Sequence, residues 1–333
     1  MAETNLQVLL RRRPVGEPTP DDFEIVETPV PQPGPGEVLV RARYLSLDPY
    51  MRGRMSEAKS YARPVELGAV MEGQTVGEVV ASNAPGFAPG DTVLGGYGWQ
   101  RFSCVTPARL FRIDPQEAPL STALGVLGMP GLTAWVGLED IGQPKAGETV
   151  VVSAASGAVG QVVGQIAKIR GCRVIGIAGG ERKCRFVVEE LGFDACIDHR
   201  GDLRAQLDRH CPQGIDVYWE NVGGDVQREV FPRLNDFARM VMCGMIAEYN
   251  DTTPRPGPNL MAVVRKRLRI QGFIVSDNGW PRYPQFRREM LGWMREGRMK
   301  WREDVVEGLR NAPQAFIGLL KGENFGKLVV KVD

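Results

Sequence analysis

The stretch Val150-Val151-Val152-Ser153-Ala154-Ala155-Ser156-Gly157-Ala158-Val159-Gly160 constrains the fold of this chain more than any other. Three β-branched apolar residues in a row read as a buried strand, the small residues after them as a tight turn, and the amphipathic segment Gln161 to Arg170 as a helix. A helix entered this way turns its free N–H groups and the positive end of its dipole toward an anion. The anion implied is the pyrophosphate of a dinucleotide. Val174-Ile175-Gly176-Ile177-Ala178 follows Gly171 at the distance of the next strand in a βαβ unit. Ala154, Gly157 and Gly160 take the three glycine places of the dinucleotide fingerprint. Ala154 suits a slightly wider turn, Gly157 lets the backbone approach phosphate, and Gly160 lets the helix lie close to the strand. The competing reading is a tightly packed turn that holds no ligand.

With 333 residues, 43% of them hydrophobic, the chain is long enough for two domains with sizeable cores. Its 41 basic and 40 acidic residues leave a formal charge of +1, which speaks against a nucleic-acid surface or a polybasic membrane anchor. The short apolar start before Arg11-Arg12-Arg13 has the reverse order of a secretory signal, and no apolar run reaches membrane-spanning length, so a cytoplasmic protein is expected. Cys104, Cys172, Cys184, Cys196, Cys211 and Cys243 form no CxxC pair and read as reduced, buried thiols.

Residues 23 to about 112 read as short strands separated by Pro and Gly: Glu37 to Leu45 alternates, Gln74 to Val80 is strand-like, and Pro85 to Asp91 turns into Thr92 to Leu94. That spacing predicts a barrel-like β domain. From Thr149 strands alternate with helices, with Asp216 to Trp219, Met240 to Met245 and Arg269 to Val275 as further strands of a doubly wound parallel sheet. Phe286, Met290, Trp293 and Met294 fall at helical spacing, and Lys327 to Val332 reads as a strand returning to the first domain.

After the second strand comes Ala178-Gly179-Gly180-Glu181-Arg182-Lys183. NAD enzymes usually place an acid here for the ribose hydroxyls, whereas NADP needs cations and room. The small residues leave that room, and Arg182 or Lys183 can pair with a 2′-phosphate. Glu181 can serve NAD instead, and a solvated helix start is the bland alternative. Zinc needs three or four clustered ligands, and the two histidines, His199 and His210, with no clustered cysteines, supply none. Cys104, without a His near it in sequence, reads as a core thiol rather than a nucleophile.

Ala154 to Gly160, Lys183, Asn221-Val222-Gly223-Gly224, Cys243 to Asn250 and Asn324-Phe325-Gly326-Lys327 together resemble the zinc-free medium-chain dehydrogenases/reductases. Asp48-Pro49-Tyr50-Met51-Arg52-Gly53-Arg54 and Gly128 to Ala134 extend the match over nearly the whole length. The chain is similar to the leukotriene B4 12-hydroxydehydrogenase / prostaglandin reductase branch, to plant 2-alkenal reductases and, most of all, to bacterial curcumin reductase-like enzymes. The resemblance implies a GroES-like catalytic domain (1–121 and 298–333), a Rossmann NADP(H)-binding domain (122–297), and reduction of C=C bonds conjugated to a carbonyl in a small-molecule substrate. It implies that Gly157, Ala158, Val159 and Gly160 hold the pyrophosphate and Lys183 the 2′-phosphate. Asn221, Cys243, Gly244, Met245, Tyr249, Phe273, Ile274, Val275, Asn324 and Gly326 would hold the rest. Relatives are commonly homodimers. His199 stands where prostaglandin reductases have a Tyr beside the adenosine phosphate, which makes phosphate affinity pH-sensitive if the imidazole reaches it. Bland readings stand beside these: Asn221 and Asn324 as turn residues, His199 as surface.

In such a reaction hydride goes to the β-carbon and negative charge develops on the carbonyl oxygen. Tyr249, in a loop at the carboxyl end of the sheet, is the first candidate donor to that oxygen, and Tyr50 the second. The α-carbon proton can come from water or a tyrosine. Ala262 to Arg267 is basic where prostaglandin reductases carry a pocket Tyr, which speaks against eicosanoid specificity. Trp99, Met51, Met55 and Trp280 are candidate linings of an apolar pocket. A quinone reductase with the same cofactor and a catalytically silent nucleotide-binding protein are the alternatives.

Overall fold

The computed structural model describes residues 3–333. The chain divides into two compact units: one runs up to Leu124 and takes in Asp304–Asn324 and Leu328–Asp333, the other comprises Gly125–Glu303 and Phe325–Lys327.

The second unit is built on a six-stranded parallel sheet, in the order Ala195–Asp198, Arg173–Ala178, Thr149–Ser153, Ile215–Glu220, Leu234–Met242, Arg269–Gly272. This is the doubly wound Rossmann order, with its switch between Thr149–Ser153 and Ile215–Glu220. Val150, Val151 and Val152 are fully buried, each contributing about 1.5–3 kcal/mol relative to exposure. The helix Gly160–Ile169 follows as the hydrophobic spacing predicts, and Gly164 lets it close onto Phe193, whose ring would overlap any β-carbon there. Gly171, at φ +81°, ends it.

Two strand expectations are corrected here. Leu234–Met242 stops before Cys243, because the Cys243 and Gly244 amides turn to the Glu220 carbonyl at 3.0 and 3.1 Å. Phe273, Ile274 and Val275 are not a strand. The last strand pairs only to Met242↔Gly272, where its partner ends, and Val275 opens the short helix Val275–Asn278. The Phe273 ring instead packs edge-on against Trp219 at 6.0 Å.

The other unit is the mostly antiparallel β domain expected of a GroES-like fold. Its seven-stranded sheet runs Glu303–Glu307, Lys327–Lys331, Val38–Ser46, Thr75–Ser82, Thr92–Gly95, Leu110–Arg112, with Phe102–Val105 also pairing Val38–Ser46. The strand Lys327–Lys331 thus returns to this sheet, Val329 opposite Ser46. Thr4–Leu10 and Phe23–Pro29 form a separate antiparallel pair. Trp99, Met51 and Met55 do not line a pocket: all three are fully buried in the core of this unit, where Trp99 stacks on Phe23 at 5.7 Å and meets the Phe316 edge at 5.6 Å. Their apolar bulk is spent on closing the barrel. Trp280, in the other unit, is half-buried against Tyr283.

Candidate active site

At the carboxyl end of Thr149–Ser153 the chain turns through Ala154, which adopts φ +49° despite its β-carbon. The turn is therefore tight rather than widened. The Gly157 N–H donates to the Ala154 carbonyl at 2.9 Å, and a β-carbon on Gly160 would stand 2.3 Å from that same oxygen. Glycine at 160 is thus a steric requirement. Gln161 makes the first intrahelical bond, to the Gly157 carbonyl at 3.1 Å, so the amides of Ala158, Val159 and Gly160 lie in the part of a helix that serves anions.

One strand over, Gly179 and Gly180 form the floor of a basic notch. A β-carbon on Gly179 would lie 2.8 Å from His199 Nε2, and one on Gly180, at φ +91°, 2.9 Å from Arg200 Nη1. Asp198 ties this floor down, its Oδ1 accepting the Gly180 and Arg200 amides at 2.9 and 3.0 Å. Burial opposes ionisation of Asp198, but those two bonds hold its carboxyl below the usual range. Lys183 stands in the first turn of the helix Glu181–Glu189. Burial, opposed by Asp198, and then the Arg200 and Lys183 charges keep the His199 imidazole below its ordinary value.

Glu181 faces solvent, its side chain 89% exposed and paired with Arg185. Arg182 is also turned elsewhere: its guanidinium sits 5.0 Å over the Phe325 ring, whose centroid Arg302 approaches to 4.1 Å. Beside it Gly326 adopts φ +93°, with a β-carbon position 2.3 Å from the Arg302 carbonyl. Gln161 and Gln165 clamp the backbone of 300–302 through paired hydrogen bonds of 2.7–3.3 Å.

The Asn221 side chain is engaged within the sheet: Nδ2 donates to the Ser153 carbonyl at 2.7 Å, and Oδ1 accepts from Trp219 Nε1 at 3.1 Å. Cys243 to Tyr249 forms the next loop, its Cys243 thiol pushed up to about 12 by burial. The Tyr249 hydroxyl folds back over Gly244 and accepts the Met245 N–H at 3.3 Å. Ile274 and Val275 are half-buried.

In the β unit, Tyr50 is half-buried with the Arg54 guanidinium 5.3 Å over its ring; Arg54 also lies 4.5 Å over Tyr61 and pairs with Glu72 at 2.7 Å. Burial and then the Asp48 and Glu72 charges push the Tyr50 phenol well above its ordinary value, so it remains a proton donor. Asn324 is half-buried at the end of Asp304–Asn324.

The cations of 262–267 serve the fold. Lys266 Nζ donates to the Pro232 and Leu234 carbonyls, and Arg267 pairs with Asp236 at 2.6 Å. All six cysteines are free thiols, but only Cys172 and Cys211 are buried; Cys104, on an edge-paired strand, is half-buried rather than in the core, as are Cys184, Cys196 and Cys243. Sequence reasoning missed Arg200, Ser153 and Glu220. Only Arg200, adjoining His199, carried any signal.

Residues 6–113 match the family described as the N-terminal domain of oxidoreductase, and 158–292 that of zinc-binding dehydrogenase. An NADPH-dependent curcumin reductase of Escherichia coli (strain K12) is 52% identical over 336 residues, covering 99% of this chain and 97% of that protein. The chain belongs to the medium-chain dehydrogenase/reductase family. A 2-alkenal reductase (NADP(+)-dependent) of Nicotiana tabacum is 42% identical over 100% of this chain and 99% of that one. The crystal structure of CurA from Vibrio vulnificus in complex with NADPH superposes with a TM-score of 0.95 at 51% identity, over 98% and 99% of the two chains. Although one matched family is described by zinc, no group of three or more His, Cys, Asp or Glu among the described residues is placed to hold a metal ion.

Proposed function

We propose that this medium-chain dehydrogenase/reductase uses NADPH to reduce the C=C bond of α,β-unsaturated ketones and aldehydes, bulky curcumin-like enones included. The observation that carries this is 52% identity, end to end, to a curcumin reductase. The residues present suit the cofactor: a glycine turn with helix-start amides suits a pyrophosphate, and the Gly179–Gly180 floor ringed by His199, Arg200 and Lys183 suits a 2′-phosphate. When bound, NADPH supplies a hydride to the β-carbon of the acceptor.

The chain's own task is then to hold the ligands and stabilise negative charge on the carbonyl oxygen. Tyr249 is our first candidate donor, because it sits on the loop after Leu234–Met242 at the carboxyl edge of the sheet. Removing one such donor typically costs about 3 kcal/mol. Tyr249→Phe should lower kcat on a short enone roughly 100-fold; unaltered turnover removes it from the mechanism. Tyr50, kept protonated by its surroundings, is the second candidate and orients substrate.

The activity itself is tested by NADPH and NADH oxidation on a panel of enones, enals and quinones. Preference for NADPH with an enone is expected; dominant quinone turnover, or none at all, overturns the reading. A homodimer fits the outermost strand of the parallel sheet, Arg269–Gly272, which is exposed along its length and adjoins exposed Leu260, Met261 and Val264. Sedimentation showing a monomer at micromolar concentration would refute it. Six free thiols suit the reducing cytoplasm, and among the described residues no helix is long and apolar enough to cross a membrane.

A further inference from the structure

Glu220 is a fully buried carboxylate at the end of the central strand Ile215–Glu220. Three donors converge on its Oε1: the Val222 amide at 2.7 Å, the Gly223 amide at 3.0 Å and the Ser153 hydroxyl at 3.0 Å. Its main-chain carbonyl accepts the Cys243 and Gly244 amides. Ser153 Oγ in turn accepts the Asn221 amide at 2.8 Å. One residue therefore joins the turn Asn221–Gly224 to the end of the strand Thr149–Ser153 through its side chain, and to the loop Cys243–Tyr249 through its main chain.

Burying a carboxylate is costly unless several donors meet it, and here two donors are amides of the loop Asn221–Gly224 and the third is the last side chain of the neighbouring strand, all at the sheet's carboxyl edge. An apolar residue would leave the Val222 and Gly223 amides without this acceptor and the Ser153 hydroxyl with the Trp219 carbonyl alone, at 3.2 Å, while an exposed acid would leave the Asn221–Gly224 turn free to open. We propose that Glu220 is a positioning residue: its carboxylate fixes the turn Asn221–Gly224 against the end of the strand Thr149–Ser153, and so sets the place of the pyrophosphate and nicotinamide ends of NADPH, without itself touching the cofactor. This rests on the NADPH reading above and adds to it a residue that acts on one part of the cofactor only. The basic notch at Gly179, Gly180, Lys183, His199 and Arg200 lies off this network, so recognition of the 2′-phosphate should survive changes at Glu220.

The test uses the full chain and two ligands, NADPH and 2′-AMP, the latter reaching only the notch. In Glu220→Ala the Kd for NADPH should rise at least 30-fold, and in Glu220→Gln, which keeps an uncharged acceptor, about 5-fold; 2′-AMP should bind within twofold of the wild type. Hydrogen exchange in the ligand-free Glu220→Gln protein should quicken at Val222 and Gly223 and remain unchanged at Cys243 and Gly244, whose acceptor is the main-chain carbonyl, and at Gly180 and Arg200. Should the Ala variant fail to fold, the Gln variant decides alone. An NADPH affinity within twofold of wild type, equal losses for both ligands, or exchange that quickens evenly across the sheet would each overturn the positioning role. A wild-type protein that binds 2′-AMP but not NADPH, or neither, would count against the NADPH reading instead.

Discussion

Two neighbouring regions on the same sheet edge are built on opposite principles. The notch around Gly179 and Gly180 offers cations near the surface: Arg200 is exposed and Lys183 half-buried, and solvent screens their charges. Around Glu220 the polar groups are buried, and its Oε1 is fixed by short hydrogen bonds from two main-chain amides and the Ser153 hydroxyl. Exposed charge can be exchanged residue by residue with a graded loss of affinity. Buried polar groups act as a set, and removing one strands its partners.

The largest effect that would sharpen this contrast is at Gly160. A β-carbon there meets the Ala154 carbonyl at 2.3 Å, so Gly160→Val must open the turn; NADPH binding should be lost and stability should fall by about 1–3 kcal/mol, checked by titration and thermal unfolding. Retained NADPH affinity would show that the turn is not rigid. Next, Lys183→Ala and Arg200→Ala should each weaken NADPH about tenfold, or about 1.4 kcal/mol, leave NADH untouched, and add when combined. A collapse greater than the sum would mean that the notch too works as a unit.

The smallest effect concerns pH. The free-protein His199 imidazole titrates below its ordinary 6.5, through burial and then the cations beside it, so it is neutral at pH 7.5. Protonation adds positive charge beside the phosphate. NADPH should therefore bind a few-fold more tightly at pH 5.5 than at 7.5, relative to His199→Phe measured in parallel, whereas NADH should show no such difference. A profile identical to that of the Phe variant would remove the imidazole from phosphate recognition.

What the sequence disclosed follows the same division. Val150 to Gly160 was legible because burial, turn and helix start are all local, and each leaves its own pattern of residue types. Phe273 to Val275 misled because β-branched residues favour a strand, yet a strand needs a partner, and the partner ended at Met242. Trp99, Met51 and Met55 read as pocket because apolar bulk looks the same in a core and in a cleft. Of the candidate site, Lys183 was visible as a charge after a strand, and His199 only through the family resemblance. Glu220 was not, since its meaning lies in partners 67 residues upstream at Ser153 and more than twenty downstream at Cys243.

The strand Lys327–Lys331 lies inside the sheet of the β unit, between Glu303–Glu307 and Val38–Ser46, rather than at its rim. During synthesis, then, the Tyr44–Ser46 end of Val38–Ser46, beyond the part paired with Phe102–Val105, must wait with an open flank until nearly three hundred further residues have left the ribosome. Gly125–Glu303, whose strands follow one another without such a gap, can settle first, leaving the nascent β unit as the part of this chain most in need of a chaperone.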